Sequence, residues 1–181
     1  MDELPAAAFV IEADGVSVKV LRELKIAALR YFDSAGSFAA AARATVGPLP
    51  EPLRALCATT PAGSEQIILA WRSPTETLLM TNDGSALAGL ERRLAGMLDG
   101  CMVDQTGGVR VLEVKGPRAE ELLLRLGADT AIPGLGEARS SRLAELQVLA
   151  ACVAAQVFLL CVERVYADHL LGWMSATAAD F

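Results

Sequence analysis

Residues 148 to 162 read VLAACVAAQVFLLCV, an uncharged run broken only by Gln156. As a single helix it would be about 22 Å long, short of the roughly 30 Å hydrocarbon core of a bilayer. Lengthening it brings in Glu145 and Gln147, and Arg142 and Arg164 flank it evenly, so no charge asymmetry orients a span. A soluble helix with this pattern has no polar face and would have to be buried all round. Two strands account for it better. Leu146 to Val153 and Val157 to Val162 are each of strand length and rich in Val, Leu, Phe and Cys, with a turn at Ala154-Ala155-Gln156. That turn lacks the Gly, Asn, Asp or Pro that tight hairpins favour. A helical pattern follows, with Tyr166, Leu170, Trp173 and Thr177 at helical spacing.

The same strand–strand–helix order recurs upstream. CMVDQ (101–105) and VRVLEV (109–114) flank Thr106-Gly107-Gly108, which reads as a hairpin turn. Gly116-Pro117 then opens a helix whose apolar stripe is Ala119, Leu122, Leu123 and Leu126, ended by Gly127. Earlier, EQIILAW (65–71) and TETLLMT (75–81) flank Arg72-Ser73-Pro74. A helix follows with Leu87, Leu90, Leu94 and Met97 inward and a cap from Asn82, Asp83 or Ser85. VSVKVLREL with KIAALRYF and an Ala-rich helix near 37–46 make the first unit. Hairpins followed by helices predict an α+β fold: antiparallel sheets with helices packed on one face, as two ferredoxin-like halves in tandem. The 181 residues suit one domain, 1–181, with approximate halves 1–100 and 101–181. Segments 47–63 and 127–142 are Pro- and Gly-rich and read as connectors that pack on the surface or carry contacts.

The apolar fraction is 53% while aromatics are 5%, so the core is expected to be aliphatic, and part of its surplus to be covered by another protein. Leu124, off the buried stripe of its helix, points the same way. Net charge is −6 with scattered cations, the longest basic pair being Arg92-Arg93, so nucleic acid is not an expected partner. MDELPAAAFVIEAD carries no basic leader-like region. Cys57, Cys101, Cys152 and Cys161 form no CxxC pattern and there is one His, so all four read as small buried apolar residues in a reducing compartment with no metal site.

Catalytic signatures are sparse. Gly107-Gly108 lies between strands, and Pro117 removes a donor from the helix start at Gly116; neither matches a phosphate loop. Asp104 reads as a turn acceptor before a general base, and His169 as a partly exposed helix residue. Trp71 and Trp173 read as core or interface aromatics, Trp173 being the candidate anchor for a partner. Gly134-Leu135-Gly136 reads as a flexible loop. GxSxG, HExxH and paired-carboxylate motifs do not occur, and no catalytic, cofactor-binding or metal-binding residue is assigned.

The segment CMVDQTGGVRVLEVKGPRAEELLLRLGAD resembles the aminomethyltransferase-like, folate-binding superfamily, in which a strand carrying Asp-x-Ser precedes a second strand, Gly-x-x-Ala and a Leu-rich helix. Asp104-Gln105-Thr106, Gly116-Pro117-Arg118-Ala119 and Leu122-Leu123 match, with Thr106 in place of Ser. Within that superfamily the chain is similar to the gamma subunits of heterotetrameric sarcosine oxidase. Leu49-Pro50, residues 69–79 (LAWRSPTETLL) and residues 163–168 (ERVYAD) carry the likeness, departing at Arg72-Ser73, Thr77 and Val165. The resemblance implies a non-catalytic subunit of a complex that oxidatively demethylates a secondary amino acid. Partner subunits of alpha, beta and delta type would hold FAD, FMN, NAD and tetrahydrofolate, and this chain would hold no cofactor. The alternative is a stand-alone folate-binding one-carbon-transfer protein related to aminomethyltransferase.

Overall fold

The computed structural model describes residues 10–59 and 66–181. The acidic start of the chain, residues 1–9, and part of the 47–63 connector, residues 60–65, lie outside them. Among the described residues eleven strands and four α-helices follow one another. In order they are β1 Val10–Ala13, β2 Val16–Val20, β3 Lys25–Tyr31, α1 Ser37–Val46, β4 Ala55–Thr59, β5 Gln66–Ser73, β6 Glu76–Thr81 and α2 Gly84–Leu94. The rest are β7 Gly100–Asp104, β8 Val109–Lys115, α3 Ala119–Leu126, β9 Ala138–Leu143, β10 Leu146–Ala154, β11 Val157–Glu163 and α4 Ala167–Ala178.

The strands form two antiparallel sheets, ordered β1-β2-β8-β11-β10-β9 and β4-β5-β6-β3-β7. Along the chain β3, α1, β5, β6, α2 and β7 give one βαββαβ half with β4 added at its edge. β8, α3, β10, β11 and α4 begin the second, with β9 at its edge. Its closing strand is β2, delivered from the start of the chain to pair with β8. The fold is therefore the expected α+β pair of ferredoxin-like halves.

Two expected hairpins do not form. β2 and β3 belong to different sheets, and so do β7 and β8. Each short link carries the chain from one sheet to the other: Leu21 N–H donates to Val111 O at 2.9 Å and Gln105 N–H to Ile26 O at 2.8 Å. A four-residue link between layers (LREL at 21–24, QTGG at 105–108) is as short as a hairpin turn, so two apolar runs joined by it look like a hairpin in sequence. The supposed connectors also contain β4 and β9, and β1 precedes the first expected strand. β4 and β9 lie at sheet edges, and β9 (ARSSRL) is polar as edge strands commonly are, which hides it from an apolar-pattern search.

The four layers run helix, sheet, sheet, helix. Val16, Val18, Val20, Leu112, Leu160 and Val162 pack with Leu122, Leu123 and Leu170 of α3 and α4. On the opposite side Leu29, Leu69 and Leu79 pack with Phe38 and Leu90 of α1 and α2. Between the sheets, Ile26, Ala28, Ile68 and Met80 meet Val111, Leu149, Leu159 and Cys161. Both faces of each sheet are thus covered, which is why the strands read as unbroken apolar runs rather than alternating ones. The run at 148–162 is the β10–β11 hairpin. Its Gln156 takes φ 59°, which costs a non-Gly residue about 1–2 kcal/mol. Pairing on both sides offsets this, and Gln156 O accepts the Gly116 N–H at 3.0 Å. The apolar surplus expected to need a second protein is largely buried within this chain's own double sheet. No helix among the described residues is long and apolar enough to cross a membrane.

Local signals explain the helices. α1 is Ala-rich and ends at Gly47, at φ 88°. Asp83 caps α2 by accepting from Ser85 N and Ala86 N. α3 buries Ala119, Leu122, Leu123 and Leu126, carries Glu120 and Glu121 in its first turn and Arg125 in its last.

Candidate functional site

The Asp104-Gln105-Thr106 motif occupies the crossing from β7 to β8. Asp104 Oδ1 accepts from Thr106 N at 2.8 Å, and Thr106 Oγ1 accepts from Ile26 N at 3.0 Å. The Thr106 N–H and hydroxyl, with Lys25 nearby, hold the Asp104 carboxyl below the usual range. It therefore stays ionised as a turn acceptor and is a weak proton acceptor for catalysis. Gly116 of the Gly-x-x-Ala motif sits at φ 126°, and a Cβ there would collide with Gly15 O. Arg118 N–H donates to the same carbonyl at 2.9 Å. The glycine lets the β1–β2 turn approach the start of α3; it does not cradle a ligand.

Gly134-Leu135-Gly136 is tied down, not loose. Gly136 N–H donates to Cys152 O at 2.9 Å and Gly136 O accepts from Ala55 N at 3.0 Å, joining the edges of the two sheets. Trp71 is half-buried on β5. In the segment around it, Glu76 receives Arg30 Nε at 2.7 Å and Arg72 Nη1 at 2.8 Å, and buried Thr77 bonds the Tyr31 hydroxyl at 3.0 Å. These matched residues hold the β3–β5–β6 ladder. Among the described residues no cluster of His, Cys, Asp and Glu is arranged to hold a metal.

Two surfaces remain. The first is a groove of about 710 Å³ where the sheets part, between β2, β8 and β11 on one side and β5 and the 21–24 link on the other. Its charges alternate in sign, with Lys19 and Arg22 against Glu23 and Glu113, and its apolar lining includes Leu24, Ile68 and Leu159. No aromatic side chain among the described residues lines it. The second is the outer face of α4. Trp173 is 53% exposed, its Nε1–H donates to His169 Nε2 at 3.2 Å, and a shallow notch of about 370 Å³ opens beside Gly172 and Ala176. Val165 and Tyr166 at the start of this face are exposed as well, and Leu124 on α3 is 40% exposed. Three arginines, Arg22, Arg110 and Arg164, lie at the end of the sheet from which α4 departs. Sequence reading found Trp173, His169 and Leu124. It missed the arginines, which are far apart in the chain and join only through strand register.

The Sarcosine oxidase, gamma subunit family matches residues 32–180. No curated protein matches the sequence. A chain of the heterotetrameric sarcosine oxidase from Corynebacterium sp. U-96, in complex with pyrrole 2-carboxylate, has a similar structure. Its TM-score is 0.77 at 23% identity, over 97% of this chain and 89% of that one. Glycine cleavage system aminomethyltransferase T from Bartonella henselae superposes with a TM-score of 0.66 at 16% identity, over 91% of this chain and 46% of that one. The present fold thus spans about half of the aminomethyltransferase. The family match covers most of the chain, including the three segments, Leu49-Pro50, LAWRSPTETLL and ERVYAD, that carried the resemblance: the chain belongs to the sarcosine oxidase gamma subunit family.

Proposed function

We propose that this chain is a non-catalytic gamma-type subunit of a heterotetrameric, flavin-dependent sarcosine oxidase or a related secondary-amine-oxidising complex. Its role is assembly. The carrying observation is the family match over residues 32–180. The end-to-end likeness to one chain of a heterotetrameric oxidase supports the same reading. Partner subunits of alpha, beta and delta type hold FAD, FMN, NAD and tetrahydrofolate, and this chain holds none of them. The complex works in the cytoplasm. Residues 1–181 act as one domain, which the shared inter-sheet core and the pairing of β2 with β8 support.

Co-expression with the other subunits of such an oxidase tests this. A single stable complex with flavin absorption is expected, containing this chain in equal proportion. If the chain stays free at micromolar concentration while the others assemble and oxidise sarcosine, the reading fails. Calorimetry with tetrahydrofolate is expected to show no binding by the isolated chain; clear binding would favour a stand-alone one-carbon protein.

A further inference from the structure

Side chains alternate across a strand, so every second residue of β2, β8 and β11 faces the helices. On β2 these are Val16, Val18 and Val20; on β8, Leu112 and Val114; on β11, Phe158, Leu160 and Val162. One step further along each row stand Arg22, Arg110 and Arg164. The pairings Val20↔Leu112 and Val162↔Arg110 align the rows. Leu21 N–H donates to Val111 O at 2.9 Å and Arg164 N–H to Gly108 O at 2.8 Å, which continues the ladder past the last paired residues. Arg110 and Arg164 therefore stand together at one end of the sheet, where the helix-covered apolar stripe runs out. Arg22, at the mouth of the inter-sheet groove, is close enough to act on the charge of Arg110.

This row is unlike the chain's other arginine sites. Arg30 and Arg72 share Glu76, Arg118 and Arg125 share Glu121, and Arg139 pairs with Glu137. Among the described residues none of Arg22, Arg110 and Arg164 has a carboxylate within ion-pair distance. Part-buried Arg110 reaches only the Thr106 and Val109 carbonyls, at 3.5 and 3.4 Å. Burial, then Arg164 and Arg22, disfavour its charge, and Asp168 is the acid that opposes them.

Asp168, at the start of α4 and four residues after Arg164, also borders the α4 notch. From Val165 to Phe181 the chain has no Lys, Arg or Glu. Apart from Asp168, its outward side chains here are aromatic or small: Val165 at 78% exposure, Tyr166, His169, Gly172, Trp173 and Ala176. An aromatic, charge-poor centre beside a charged rim is the anatomy of a protein–protein interface.

We propose that the outer face of α4, together with the row Arg22–Arg110–Arg164, is where a neighbouring subunit of the oxidase docks, placing carboxylates on the arginines and an apolar side chain in the notch beside Trp173. This rests on the assembly role proposed above. A second copy of this chain matches less well, because α4 carries only Asp168 and is followed by Asp180 against three arginines.

Association of the wild-type chain with the other subunits is expected to weaken as salt rises. Arg22→Glu with Arg164→Glu, and separately Trp173→Ala, change exposed side chains and are each expected to weaken it at least about tenfold. Arg92→Glu with Arg93→Glu on α2 is expected to leave it intact. Hydrogen exchange on the wild-type complex, which needs no variant, is expected to slow over residues 164–177. A wild-type complex that forms without such slowing, or that both variants join as tightly as wild type, overturns the docking face and leaves the assembly role standing. Failure of the wild-type chain to join any complex overturns both. A wild-type homodimer broken by Trp173→Ala would assign the face to self-association and overturn the proposal.

Discussion

Asp99 caps a helix that starts far upstream of it: its Oδ2 accepts the Phe38 N–H at 3.0 Å across a separation of 61 residues. Oδ1 accepts the Ser37 hydroxyl at 2.9 Å. The residue at the N-cap position of α1 is Gly36, which has no side chain to do this. One carboxylate thus joins the start of α1 to the segment that enters β7, the closing strand of that half. Asp99→Ala is expected to lower the thermal midpoint, and Asp99→Asn to lower it less, since an amide oxygen still accepts. Glu91→Ala on the exposed face of α2 should leave it unchanged. Equal midpoints for Asp99→Ala and wild type would remove the cap from the account.

Acid stability should depend on Glu121. Hydrogen bonds from Arg118, then Arg125, hold its carboxyl down to about 2 from an ordinary 4.5. A carboxyl depressed in the folded state contributes stability that is full above its unfolded value and lost as pH falls toward its folded one. The window is therefore from about 4.5 down to about 2. Thermal melts across that range should show a shallower acid decline for Glu121→Gln than for wild type. Some decline should persist, because Asp83, Asp99, Asp104 and Glu137 are shifted in the same direction. An identical acid limb in the variant would refute the assignment.

Two glycines of the motif region should differ sharply in their tolerance of a side chain. Gly116 combines φ 126° with a carbonyl where a Cβ would go, whereas a Cβ on Gly107 meets nothing within 4 Å. Denaturant titration should show Gly116→Ala losing about 2 kcal/mol or more. Gly107→Ala should stay within about 0.5 kcal/mol of wild type. Equal effects would mean that the contact between the β1–β2 turn and α3 is not tight.

The four thiols should label in order of access. Contrary to the burial expected of all four, Cys101 and Cys57 are exposed, lying on the edge strands β7 and β4, and partial burial pushes the Cys57 thiol up. Cys152 and Cys161 are buried, the latter pushed up to about 12. A maleimide at neutral pH should modify Cys101 first and Cys57 more slowly, and reach the other two only on unfolding. Mass spectrometry of early Cys161 modification would contradict the inter-sheet core.

Apolar content was legible in composition, but its destination was not. The surplus that suggests a covered outer patch is mostly consumed between the two sheets, where Leu149 and Leu159 meet Ile68 and Met80. Uncharged strands signal burial on both faces without saying whether the second cover is a partner chain or another part of the same chain. Leu124 did emerge as exposed, because helical periodicity sets it off the buried stripe of α3. Helical spacing puts Trp173 on one stripe with Tyr166, Leu170 and Thr177, but α4 buries Ala167, Leu170, Leu171, Met174 and Ala178 instead, which leaves Trp173 outside.

Local sequence by itself determined the β5–β6 and β10–β11 hairpins, the buried stripe of α3, the start of α2 within residues 82–85 and the family likeness. Each depends on residues a few positions apart, whose geometry is set by helix and strand periods. Tertiary structure alone decided that β2 pairs with β8, that β7 leaves β8 for β3, that Asp99 caps α1, and that Arg110 and Arg164 stand together, close to Arg22. Those relations join residues far apart in the chain. They follow from which layers can cover each other's apolar faces, an energy that no short window of sequence contains.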